Sequence, residues 1–141
     1  MNIFFAASIR GGREQQPLYD AVVSELKKYG EVHAPHTADA TLTNFGETEL
    51  PDSEIHEREL AALTHADIVV AEVTVPSLGV GYLVARASEM GKRVVVLYHG
   101  ENLLELSSMI KGDQRVTVRR YTTAAEIPSL VSAFFSTNVQ E

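Results

Sequence analysis

Apolar residues along the chain fall into short solid runs separated by stretches of helical spacing. The runs "NIFFAAS", "EVHAP", "DIVVAEVT", "RVVVLYH" and "RVTVRRY" read as five strands. Each is a few residues long, rich in β-branched or aromatic side chains, and bounded by polar or turn residues. Between them the apolar positions recur at three- and four-residue spacing, as a helix with one buried face requires. Pro17 to Tyr29 sets Leu18, Val22, Val23 and Leu26 on one stripe, with Gly30 as the stop. Ser53 to Thr64 gathers Ile55, Ala62 and Leu63, and Val80 to Met90 ends at Gly91. Thr123 to Phe135 opens on Thr123-x-x-Glu126, a capping box. Thr37 to Asp52, rich in Thr, Asn, Gly and acid, is the longest loop candidate and has the character of a lid.

Strands alternating with helices imply parallel crossover units and a sheet covered on both faces. The pattern therefore predicts an α/β fold with one domain over residues 1–141: a doubly wound, mostly parallel five-stranded sheet, Rossmann-like or flavodoxin-like, with strand order 2-1-3-4-5. In that topology a ligand lies beyond the carboxyl ends of strands one and three, where the winding reverses. Two glycine-bearing segments, "SIRGGR" (residues 8–13) and "VTVPSLGVG" (residues 73–81), fall at those two ends.

Composition narrows the partner. Net charge is −7 and the isoelectric point about 5.2, so a duplex or an anionic membrane, which call for a basic face, is not expected. A small anion in a local pocket remains compatible. There are no cysteines, which removes thiolate chemistry and fits a cytoplasmic protein. The apolar N-terminal run is too short for a membrane span and lacks a basic lead, and is read as a buried first strand.

Ser8-Ile9-Arg10-Gly11-Gly12-Arg13 combines a hydroxyl, close-approach glycines and two guanidiniums, the groups that hold phosphate. A flexible turn with two solvated arginines is the plainer alternative. Pro76-Ser77-Leu78-Gly79-Val80-Gly81 is a strand-to-helix turn, whose free N–H groups and Ser77 hydroxyl suit a dianion. Its alternative is an N-cap serine followed by glycines that pack helix on strand. Neither a dinucleotide fingerprint nor a Walker lysine is present. Glu59 shares a helix face with Ile55, Ala62 and Leu63; either it is buried with a partner or a task, or the helix is rotated and it lies at the boundary. Glu72, at the end of the third strand, reads as an edge-of-strand charge. His36 and His56 have no metal-ligand spacing, so no metal is expected.

Taken together, "AASIRGGREQQPLY", "IHERELAAL", "ADIVVAEVTVPSLGVGY" and "LSSMIKG" resemble the 2′-deoxynucleoside 5′-phosphate N-hydrolases of the nucleoside 2-deoxyribosyltransferase superfamily. The likeness runs from the first strand to the fifth. It implies a Rossmann-like homodimer that cleaves the N-glycosidic bond of a nucleoside 5′-monophosphate without metal or organic cofactor. It places Ser8, Ile9, Arg10, Gly11, Gly12, Ser77 and Gly79 around the phosphate, Tyr19 and His36 near the nucleotide, and Ser107 and Met109 at the site of the other protomer. Three positions depart from the family pattern. Leu83 stands where the nucleophilic Glu is expected, Phe4 where a Tyr is expected, and Glu59 where an assisting Asp is expected. Leu cannot attack carbon, which leaves two readings: an N-glycosidase that uses Glu59 (or Glu72) to activate water, or a non-catalytic nucleotide or sugar-phosphate binder.

Overall fold

The computed structural model describes residues 1–9, 13–34 and 49–136. Five strands form one sheet: β1 (Asn2–Ala7), β2 (Glu31–His33), β3 (Ile68–Glu72), β4 (Arg93–His99) and β5 (Val116–Tyr121). Their order is β2-β1-β3-β4-β5, and every neighbouring pair is parallel. The expected strand order is thus observed, with the winding reversing between β1 and β3.

Among the described residues five α-helices cover the two faces: α1 (Gln16–Leu26), α2 (Asp52–His65), α3 (Leu78–Glu89), α4 (Ser108–Lys111) and α5 (Ile127–Ser136). Alternate residues of each strand point to opposite faces. Ile3, Phe5, Ile68, Val70, Val95 and Leu97 therefore meet Tyr19, Val22, Leu26, Val131 and Phe134 of α1 and α5. Phe4, Ala6, Val69, Ala71, Val94 and Val96 face the other way, against Leu63 of α2 and Val80, Val84 and Ala87 of α3. β3 is buried along its whole length, as a central parallel strand must be.

Two turns differ from expectation or refine it. Gly30 does not stop α1, which ends earlier at a cap on Lys27. A Cβ on Gly30 would lie 2.3 Å from the Met1 carbonyl oxygen, which accepts the Glu31 N–H at 2.9 Å. The residue is glycine because the start of β1 passes directly over it. Gly91, by contrast, has φ of 69° and closes α3 in the left-handed conformation expected of it. The capping box is also formed: the Glu126 carboxylate accepts the N–H groups of Thr122 and Thr123 at 2.7 and 2.6 Å. Those bonds bring its pKa down to about 2.

Candidate functional site

The carboxyl ends of β1 and β3 lie side by side, with Ala7 paired to Glu72. Ser8 leaves β1 and is buried, while Ile9 just beyond it is partly exposed. Arg10, Gly11, Gly12 and His36 lie outside the described residues, as does most of the long loop candidate. Ser77 caps α3: its φ is −147° and its Oγ accepts the Val80 N–H at 3.3 Å. Gly81 N–H is taken by the Ser77 carbonyl at 3.0 Å. Space beyond both glycines is open. A Cβ on Gly79 would meet only Ser77 Oγ, at 3.9 Å, and one on Gly81 would meet nothing within 4 Å. Close packing of helix on strand is therefore not what these glycines serve. They leave the first turn of a 12-residue helix uncovered at the switch point, where its dipole favours an anion.

Two carboxylates stand on opposite faces of the sheet, Glu72 at this end and Glu59 beside His33, which pairs with Phe4 of β1. Glu59, on α2, is neither fully buried nor solvated; its side chain is 15% exposed, at the boundary of the helix's inner face. Arg58 donates from Nε to Oε1 at 2.9 Å, and its Nη2 forms an ion pair with the same oxygen at 2.9 Å. Oε2 faces His33 Nε2 at 3.3 Å. The His33 ring lies against Phe4, with centroids 5.2 Å apart and planes tilted by 32°. Phe4 itself is buried, and Leu83 packs partly buried into the same apolar cluster. The side of the sheet that carries Phe4, Glu59 and Leu83 thus also carries an imidazole held against the carboxylate.

Glu72 overturns the expectation of an edge-of-strand charge: it is fully buried, on the α1 and α5 side. Thr74 donates its hydroxyl to Glu72 Oε1 and accepts the His99 N–H at 2.8 Å. Burial pushes the Glu72 carboxyl above the ordinary carboxylate range, and the Thr74 bonds and nearby His99 offset this only in part. Among the described residues Glu72 Oε2 and the hydroxyls of Tyr19 and Tyr121 are buried without a hydrogen bond of ordinary geometry, although the Tyr121 hydroxyl lies close enough to Glu72 to lower the carboxyl's pKa. Burial first, and the nearby Glu72 second, raise the pKa of both phenols. Tyr19 was expected to touch the nucleotide. It is 3% exposed, sealed in the core by α1, and offers almost no surface to a ligand. A helix stripe that includes Leu18, Val22 and Leu26 carries Tyr19 inward with it.

His56 also lies apart from the carboxylates, bonded to the Tyr82 hydroxyl at 2.9 Å, which accepts Arg86 Nη1 at 2.6 Å. Ser107 caps α4, accepting the Met109 N–H at 3.2 Å, and Met109 is exposed. Both stand on the surface of this protomer. No group of three or more metal-ligating side chains occurs among the described residues.

A family model for nucleoside 2-deoxyribosyltransferase matches residues 3–117, spanning β1 to the start of β5. The chain belongs to the nucleoside 2-deoxyribosyltransferase family. Among its relatives in that family, a mouse 5-hydroxymethyl-dUMP N-hydrolase is 51% identical over 112 residues, 79% of this chain and 65% of the mouse protein. The human 5-hydroxymethyl-dUMP N-hydrolase is 42% identical over 137 residues, covering 94% of this chain and 78% of its own. The corresponding protein of Tetraodon nigroviridis is 39% identical over 140 residues, covering 96% and 98%. A solved Clostridium botulinum CMP N-glycosidase superposes with a TM-score of 0.68 over 95% of this chain and 99% of its own; at 20% identity this likeness is one of fold.

His33 is the residue that sequence reasoning missed. β2 is three residues long, too short to display an alternation, and Glu59 lies 26 residues further on. Only the docking of α2 against β1, which pairs with β2, brings the two together. The available signal was weaker: a histidine at the carboxyl end of the strand next to the switch point.

Proposed function

We propose that this protein hydrolyses the N-glycosidic bond of a nucleoside 5′-monophosphate, giving the free base and a sugar 5-phosphate. The observation that carries the reading is family membership, with relatives named as deoxynucleoside monophosphate N-hydrolases matching nearly the whole chain. The geometry is consistent with it. An uncovered helix start with a serine cap stands at the switch point, opposite the buried Ser8. Ser8, Ile9, Arg10, Gly11 and Gly12 on one side, and Ser77 and Gly79 on the other, would hold the phosphate. A helix dipole favours a dianion there, and the Arg10 guanidinium would add the charge to hold it. His36 would lie along the nucleotide.

Leu83 offers no nucleophile, so in this reading the chemistry falls to water and to the Glu59 side of the crevice. Ser107 and Met109, exposed on α4, would complete the phosphate site of a second protomer in a homodimer.

Incubating the protein with a panel of ribo- and deoxyribonucleoside 5′-monophosphates, and with the matching nucleosides, tests this. Base release from at least one monophosphate, and none from its nucleoside, is the expected result. Thermal stabilisation by a monophosphate without any base release would instead leave a nucleotide-binding protein.

A further inference from the structure

We infer that His33 is the general base of this site and that Glu59 is the residue that positions it. The inference rests on the N-hydrolase reading above and assigns its proton transfer. Glu59 Oε1 is taken up by Arg58, through the Nε hydrogen bond and the Nη2 ion pair, and Oε2 faces His33 Nε2 at 3.3 Å. Both carboxylate oxygens are thereby engaged within the protein. Of the two side chains the imidazole is the more open, 34% exposed against 15% for Glu59. Among the described residues no hydrogen bond is made to His33 Nδ1. A carboxylate on Nε2 selects the tautomer with the proton on Nε2, which leaves Nδ1 as an acceptor. Phe4 fixes the ring from one face. The pair is thus a carboxylate–imidazole dyad whose basic nitrogen is the one not tied to the protein, the arrangement that activates a hydroxyl or a water in hydrolases.

The step balances as a single displacement. A water oxygen bonds to C1′ while the C1′–N bond breaks, and the bonding pair stays on the departing ring nitrogen. The water proton passes to His33 Nδ1. The resulting imidazolium is stabilised by the Glu59 carboxylate, and the departing base takes up a proton from solvent. No oxidant or cofactor enters. Among the described residues the ionised groups placed on the imidazole are Glu59 directly and Arg58 through it, both from α2; β1 contributes only the Phe4 ring.

The test uses His33→Gln and Glu59→Gln in the full chain, each checked by its melting curve and by nucleotide-induced stabilisation. His33→Gln is expected to lower the rate of base release by about 100-fold or more while the dissociation constant for the same monophosphate changes little. The wild type is expected to lose kcat/KM on acidification as an imidazole base is protonated, and this loss is absent from the residual activity of His33→Gln. Nitrogen-15 NMR of the imidazole should show the Nε2–H tautomer in the wild type and a shifted tautomer ratio in Glu59→Gln. Base release by His33→Gln within about threefold of the wild type, with the same pH profile, overturns the inference and leaves the hydrolase reading standing. An imidazole spectrum indifferent to Glu59→Gln overturns the dyad whatever the rates. No base release by the wild type from any monophosphate removes the hydrolase reading and this inference with it.

Discussion

Single residues on the α2 side decide what chemistry is open to this protein. Leu83 is apolar and packs into the cluster that holds Phe4, so no covalent sugar adduct should form there. Mass spectrometry of enzyme quenched in acid during turnover is expected to show the unmodified chain. On the phosphate side, Arg10→Ala should weaken a nucleoside monophosphate by about 10- to 100-fold and the bare nucleoside hardly at all, measured by calorimetry. Equal losses would remove Arg10 from the phosphate site. Glu72 answers to pH in a definite direction. Its folded pKa is raised, so its contribution to stability is fully present below the ordinary glutamate pKa and is lost as pH rises through the folded value. Glu72→Gln keeps the shape without the charge. It should therefore raise the melting temperature at neutral pH and do so less, or not at all, near pH 4. A neutral-pH melting temperature that falls would show the ionised carboxylate to be the stabilising form.

Among elements, the helix ends show how local bonds set local stability. Glu126 receives two backbone N–H groups at the start of the turn leading into α5, and its pKa falls to about 2. A depressed folded pKa means that this stabilisation is present above the ordinary glutamate value and is lost as pH falls toward 2. Thr123→Ala, which removes the other half of the box, should cost about 1 kcal/mol in a denaturant titration. α2 is held at its far end as well, where Lys92 Nζ donates to the Thr64 and Ala66 carbonyls at 2.6 and 3.0 Å. A cation on those terminal carbonyls satisfies acceptors the helix leaves open and complements its dipole. The same helix carries Glu59, so its anchoring bears on how steadily the carboxylate meets His33.

Across the whole molecule, the doubly wound order places the uncovered α3 start and Ser8 at the carboxyl end of a sheet whose central strand is buried throughout, with the Glu59–His33 pair on one face where His33 pairs with Phe4 of β1. If a second protomer lends Ser107 and Met109, sedimentation should give twice the chain mass, and Ser107→Ala should weaken monophosphate binding as well as lower the melting temperature slightly through loss of the α4 cap. The sequence by itself determined the five strands, their parallel order, the Ser77 cap, the Gly91 terminus and the Thr123–Glu126 box, because each rests on local spacing or on one residue's conformational preference. It also marked Glu59 as unusual, though not whether the residue was buried. Tertiary structure alone decided the rest. Gly30 is small because the chain passes over it at the start of β1, a contact with a residue 29 positions earlier. Glu72 is buried rather than marginal because β1 and β4 flank β3, while α1 and α5 close over its side chain. Tyr19 lies in the core because the face of α1 that carries it turns inward. His33 meets Glu59 because α2 packs against β1, the neighbour of the short β2 strand. Periodicity reports which face of an element is apolar; it carries no information on which polar groups of different elements will meet, since that depends on how the elements dock.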